Sequence, residues 1–181
     1  WENTNYSNWL VRFNFQRPDC NTTSLAKQNT ITGMNFKSRS DYYANMPTNQ
    51  MEGDFLLLQF RINIPERFQA VMAGWDISTQ PNNLGAGEKY IGFHHPAGDV
   101  KKVTYTDRLT PSNAMFYSLN ITNPTVQGGY AQGSSGSGLF REDGIVLGTA
   151  STAGNTLQPG AGCTKNSNNQ DAQFFNYINY Y

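Results

Sequence analysis

Charge is scarce in this 181-residue chain: Lys, Arg, Asp and Glu make up 14% of it, and 13 basic side chains balance 13 acidic ones. A neutral chain with no clustered run of either sign has no field to draw in nucleic acid, and it carries no acidic or basic tail. Long apolar runs are missing as well. None exceeds the length of Phe55-Leu56-Leu57-Leu58, far short of the roughly 20 apolar residues of a membrane-spanning helix, so no membrane partner is expected. Helical periodicity is limited to a turn or two near Ser24 to Gln28. Histidine occurs only at His94 and His95, with no carboxylate or cysteine at ligand spacing. Adjacent histidines on a strand point to opposite faces, so no metal site and no cofactor are expected. Cysteine occurs only at Cys20 and Cys163, each in a polar, turn-rich setting. That usage is compatible with one bond between them, with two reduced thiols, or with bonds to cysteines outside this chain. The first residue is Trp1, with neither an initiator methionine nor a signal sequence, as in a processed or partial chain.

What the sequence does contain is strand signal. Val11, Phe13 and Phe15 alternate with Arg12 and Asn14, and the run from Phe55 to Ile62 reads as a second, more deeply buried strand. Further strands are expected at Val71-Met72-Ala73-Gly74-Trp75, Tyr90-Ile91-Gly92-Phe93, Lys102-Val103-Thr104-Tyr105, Ala114-Met115-Phe116-Tyr117 and Phe174-Phe175-Asn176-Tyr177. Breakers such as Gln80-Pro81-Asn82-Asn83 and Thr110-Pro111-Ser112-Asn113 lie between them. Many short strands separated by turns, with no internal repeat and no linker, indicate an all-β barrel or sandwich. Asn, Thr, Ser, Gly and Tyr dominate the polar positions, a composition common in secreted β proteins.

The segment Gln132-Gly133-Ser134-Ser135-Gly136-Ser137-Gly138-Leu139-Phe140 reads as a serine nucleophile set in a glycine-rich turn. A serine hydroxyl attacks a carbonyl only with a base to take its proton and donors to hold the oxyanion that forms. Gly133 and Gly136, without Cβ atoms, can adopt conformations that aim successive backbone N–H groups into one small space. The N–H groups of Gly133 and Ser135 are therefore the expected oxyanion hole, with Ser135 as nucleophile. Two short strands follow, Leu139-Phe140 and Gly144-Ile145-Val146-Leu147-Gly148, joined by Arg141-Glu142-Asp143. They predict a hairpin, a rigid mount for such a turn.

Four segments in order resemble the secreted bacterial lysyl endopeptidases, a branch of the chymotrypsin-fold serine peptidases. They are Phe13-Asn14-Phe15 with Cys20 after it, Gly53-Asp54-Phe55-Leu56-Leu57-Leu58, Ala73-Gly74-Trp75-Asp76 followed by His94-His95-Pro96, and Gly133-Ser134-Ser135-Gly136-Ser137. The resemblance implies an all-β, chymotrypsin-like double antiparallel β-barrel with the active site in the cleft. Residues 1–70 would be the C-terminal part of the first barrel and residues 71–181 the second barrel bearing the nucleophile. It implies that Ser135 is the nucleophile and Asp54 the triad aspartate. The residues of the second segment agree, because a carboxylate opening a Leu-rich strand needs a partner. Neither His94 nor His95 is expected to be the base. In the family that histidine precedes the aspartate, in an Ala-His-Cys-like segment, and the His-His-Pro at this place lies outside the triad.

The same resemblance implies that Cys20 and Cys163 each bond to a cysteine near the N-terminus, in the region that carries the histidine. The partners expected are thus a polypeptide substrate and an upstream segment of the same domain, without which the chain is nearly inactive. For cleavage after lysine or another basic residue, a buried ammonium needs a carboxylate at the base of the specificity pocket. In this family that acid follows the Cys163-like cysteine, which points to Asp171 in Asn168-Asn169-Gln170-Asp171; the position six residues before the nucleophile is Gly129. Two departures are visible. Ser151 and the Asn123-Pro124 region stand where the family has a histidine and a tryptophan packed around the active site. The functions that compete with a secreted serine endopeptidase are a non-catalytic binding module on the same fold and an unrelated carbohydrate-binding β-sandwich. The latter would use the Asn/Tyr/Trp-rich surface and the acceptor patterns Asn5-Tyr6-Ser7, Asn21-Thr22-Thr23 and Asn120-Ile121-Thr122.

Overall fold

The computed structural model describes residues 4–19, 21–40, 54–75, 88–107, 110–113, 116–119, 130–153 and 172–176. Among them are twelve strands and three short 3-10 turns, so the chain is all-β. The segment from Ser24 to Gln28 forms no helix. The chain packs as two compact units, one made of Trp1–Asp41 and Phe55–Met72, the other of Tyr42–Asp54 and Ala73–Tyr181.

In the first unit, β1 (Leu10–Phe13) pairs antiparallel with β2 (Asn29–Thr32), placing Val11 opposite Ile31. The pair β3 (Met34–Arg39) and β4 (Leu56–Phe60) is likewise antiparallel, and its ladder continues where the Ser40 N–H donates to the Phe55 carbonyl at 3.1 Å. Ile31, Met34 and Phe68 form its buried centre, with the Phe13 ring edge-on to Phe68 at 5.2 Å. β4 is less buried than its Leu-rich sequence suggests: Leu56 and Leu57 remain 37% and 49% exposed. A two-stranded ribbon has few neighbours to cover its faces, and among the described residues β4 pairs with β3 alone.

The second unit holds an eight-stranded sheet made of β5 (Gly74–Trp75), β6 (Tyr90–His94), β7 (Lys102–Thr106), β8 (Thr110–Asn113), β9 (Phe116–Leu119), β10 (Gly138–Arg141), β11 (Ile145–Ala153) and β12 (Ala172–Asn176). Its order is β7-β6-β10-β11-β12-β9-β8, all antiparallel, with β5 added in parallel to β11. Two expectations need correction here. The run from Val71 to Trp75 contributes only Gly74–Trp75 as strand, and Val71 and Met72 are exposed because the run has no partner there. The segment Thr110-Pro111-Ser112-Asn113, expected to be a break, is strand β8. β8 lies at the edge of the sheet, and its register shifts between Pro111 and Asn113. Edge strands and bulges are where proline is tolerated, since one face of the backbone needs no ladder donor.

The hairpin β10–β11 forms as expected. The Gly144 N–H donates to the Arg141 carbonyl at 2.9 Å, and Gly144 has φ +87°, the left-handed region that admits glycine most readily. Asp143 closes the turn by accepting the Ile145 N–H at 3.2 Å, and the Arg141 guanidinium holds its carboxyl below the usual range. Among the described residues, Tyr90, Tyr130, Leu139 and Leu147 are the most completely buried apolar side chains. Gly92 belongs to this packing too, because a Cβ there would overlap the buried Tyr130 hydroxyl.

Candidate active site

The serine segment enters β10 as two consecutive tight turns. The Ser134 N–H donates to the Ala131 carbonyl at 2.9 Å, and the Ser137 N–H donates to the Ser134 carbonyl at 3.2 Å. Gly133 has φ +91°, and a Cβ at that position would stand 3.1 Å from the His95 carbonyl oxygen. Both the backbone conformation and the close approach therefore call for glycine. The far side of the segment is clamped to β11: the Gly136 N–H donates to the Ala150 carbonyl and the Ala150 N–H to the Ser137 carbonyl, each at 2.8 Å. Ser135 is left exposed at the crest between these bonds. Among the described residues, neither its N–H nor that of Gly133 donates to a backbone acceptor.

Asp54 is half-buried and has φ +40°, the left-handed region that Asp enters more readily than most residues. Strained backbone of this kind persists where the surroundings fix it. Here the fixing partner is Ser151, whose Oγ donates to Asp54 Oδ2 at 2.6 Å, a short bond of the kind a charged acceptor makes. Asp54 and Ser151 are 97 positions apart in the sequence and belong to the same compact unit. The consecutive residues Ala150 and Ser151 thus hold, respectively, the serine turn and the aspartate. Nothing in the local sequence around Ser151 marks it as a partner of Asp54. Its one signal is that it stands where the resemblance leads one to expect a histidine.

The two histidines are engaged elsewhere. His94 is 1% exposed, at the end of β6. Its Nδ1 lies 2.8 Å from Ser134 Oγ and its Nε2 2.9 Å from Thr104 Oγ1, and its ring stacks on Tyr130 at 4.2 Å. Burial, with a smaller contribution from neighbouring His95, lowers its pKa to about 4, so the ring is neutral at pH 7. The same burial pushes the Tyr130 phenol up. His95 Nδ1 lies 3.0 Å from the Asp99 carbonyl oxygen, across the turn begun by Pro96. Among the described residues no group of His, Cys, Asp and Glu is arranged to hold a metal ion, and no helix is long and apolar enough to cross a membrane. Asp171, Cys20, Cys163 and the Asn123-Pro124 region lie outside the described residues.

The sequence matches the family described as lysyl endopeptidase, C-terminal domain, over residues 2–176. No curated protein matches it.

Proposed function

The chain belongs to the lysyl endopeptidase C-terminal domain family, a chymotrypsin-like serine peptidase family, and from that premise we propose that it supplies the nucleophile and the aspartate of a secreted serine endopeptidase. Ser135 Oγ attacks the scissile carbonyl, and the N–H groups of Gly133 and Ser135 receive the oxyanion. The amine leaves as the acyl-enzyme forms, and water then releases the second product. The base is a histidine from a segment outside residues 1–181, as the family resemblance implies; within the chain, His94 is buried and bonded through both ring nitrogens, and His95 Nδ1 is turned to the Asp99 carbonyl. Asp54 holds that imidazole in the tautomer that can accept the Ser135 proton and stabilises its charged form.

The observation that carries this reading is the common anchorage on β11. Gly136 and Ser137 bond to Ala150, and Asp54 bonds to Ser151, the next residue. Neighbouring residues of β11, at the register shift between Ala150 and Thr152, thus contact both the turn that carries the proposed nucleophile and the proposed aspartate, which supports placing the two in one site. Ser151 occupies Oδ2, which leaves Oδ1 to receive the imidazole N–H.

The upstream segment also supplies cysteines that bond Cys20 and Cys163, and Asp171 lies at the base of the pocket for a basic side chain. These proposals are tested by digesting a peptide mixture with protein that includes the upstream segment. Products ending in Lys, or in another basic residue, are expected. Asp171→Ala is expected to lower kcat/KM for such sites about 100-fold or more, since leaving a buried ammonium unpaired costs roughly 3–5 kcal/mol. An unchanged basic preference in that variant removes Asp171 from the pocket. A folded protein that carries the upstream histidine and cleaves no peptide contradicts the peptidase reading itself.

A further inference from the structure

We propose that His94 is a positioning residue, a neutral imidazole latch that acts through Ser134 to hold the Gly133 and Ser135 N–H groups in place. The inference starts from where the turn is braced. Ser134, between Gly133 and Ser135, is buried, only 3% exposed. Its Oγ accepts the Ala131 N–H at 3.3 Å and lies 2.8 Å from His94 Nδ1. Two further contacts come from the residues that follow His94. The Ala97 N–H donates to the Gln132 carbonyl at 2.6 Å, and Gly133 packs against the His95 carbonyl. Ala97 has φ +54°, a conformation unfavourable for alanine, and it is held in the act of bracing the turn. The segment from His94 to Gly98 is thus a cradle for the turn, with His94 as its buried anchor.

A neutral imidazole accepts at one nitrogen and donates at the other, whereas a hydroxyl can do either. The proposed latch is the tautomer in which Ser134, with the Ala131 N–H on one lone pair, donates its own proton to His94 Nδ1, and the Nε2–H donates to Thr104 Oγ1. A proton added to Nδ1 turns that acceptor into a donor. The Ser134 hydroxyl proton must then leave the bond, and a charge is created in a buried site. The titratable groups around the ring are His95 beside it in the chain, Tyr130 on its face, and Lys102 opposite it on β7. The Lys102 ammonium is tied to the Asp99 carboxylate at 3.0 Å. Burial and His95 both oppose protonation, which keeps the latch closed down to a pH of about 4.

The catalytic consequence rests on the proposed role of Ser135, whereas the latch itself can be tested without it. The experiment is nitrogen-15 NMR of the 181-residue chain. At pH 7 the His94 ring is expected to show a protonated Nε2 and a bare, hydrogen-bonded Nδ1; a protonated Nδ1 overturns the proposal. On acidification, the Gly133 and Ser135 amide signals are expected to move with the midpoint of His94, near pH 4. In His94→Gln, which does not titrate there, that step is expected to vanish. Gly133 and Ser135 amides that ignore the titration of His94 contradict the latch even if Ser135 proves to be the nucleophile. Coupled amides in a protein whose Ser135 never reacts leave the latch standing and remove the peptidase reading instead.

Discussion

Replacing Ser135 by alanine, in protein that includes the upstream histidine segment, is expected to lower kcat by about six orders of magnitude, the loss seen when the nucleophile of such a triad is removed. That corresponds to about 8 kcal/mol of transition-state stabilisation. The substitution is well suited to separating chemistry from folding. Ser135 is exposed, and among the described residues its side chain makes no hydrogen bond, so stability should change by no more than about 0.5 kcal/mol. Residual hydrolysis of roughly 10³ to 10⁴ over water is expected to remain, because the oxyanion donors and the binding surface persist. The measurement is single-turnover hydrolysis of an activated ester together with a urea unfolding curve. Full activity in a folded Ser135→Ala protein contradicts the assignment of the nucleophile.

Asp54→Asn is expected to lower kcat by about four orders of magnitude with little change in KM. Asparagine is the informative substitution because of the backbone. At φ +40° a residue must tolerate the left-handed region, which Asn does as readily as Asp. The amide oxygen can still accept the Ser151 hydroxyl in place of Oδ2, so the anchorage to β11 survives. What disappears is the negative charge that stabilises the imidazolium and the acceptor that fixes its tautomer. Asp54→Ala would mix that loss with backbone strain and an orphaned Ser151 hydroxyl, and it is expected to destabilise the fold as well. Stopped-flow acylation at neutral pH distinguishes the two variants. A rate within tenfold of the wild type for Asp54→Asn would mean that the carboxylate has only a structural role.

The elements that could be read from the sequence are those whose signals are local. The β10–β11 hairpin carries both its strands and its turn glycine, Gly144, within a few residues. The serine turn is marked in the same way, since Gly133 and Gly136 occupy the two positive-φ positions that shape it. What escaped local reading depends on pairing at a distance. β2 and β3 have no strong apolar alternation, and the Val71–Trp75 run had plenty of strand propensity but too little to pair with. β5 joins the sheet in parallel to Ile145 and Val146, about 70 positions away, a pairing with no local trace. The site divides along the same line. Asp54 and Ser135 are proposed from residue chemistry and from a family resemblance. Ser151 as the partner of Asp54, and Ser134 as the partner of His94, emerged only once the sheet brought β11 and β6 to them. A lone Ser in a Thr/Ala-rich strand offers no pattern that would separate it from a hydroxyl that simply faces water.

Active-site labelling tests whether Ser135 is a nucleophile activated by a histidine from outside this chain. A fluorophosphonate probe is applied at neutral pH to the 181-residue chain alone and to protein that includes the upstream segment, and the adduct is mapped by mass spectrometry. A single adduct on Ser135 is expected in the longer protein, and labelling of the shorter one slower by about three orders of magnitude, the typical contribution of a positioned general base. Equal labelling of the two proteins, or an adduct on any other serine, would contradict that role for Ser135.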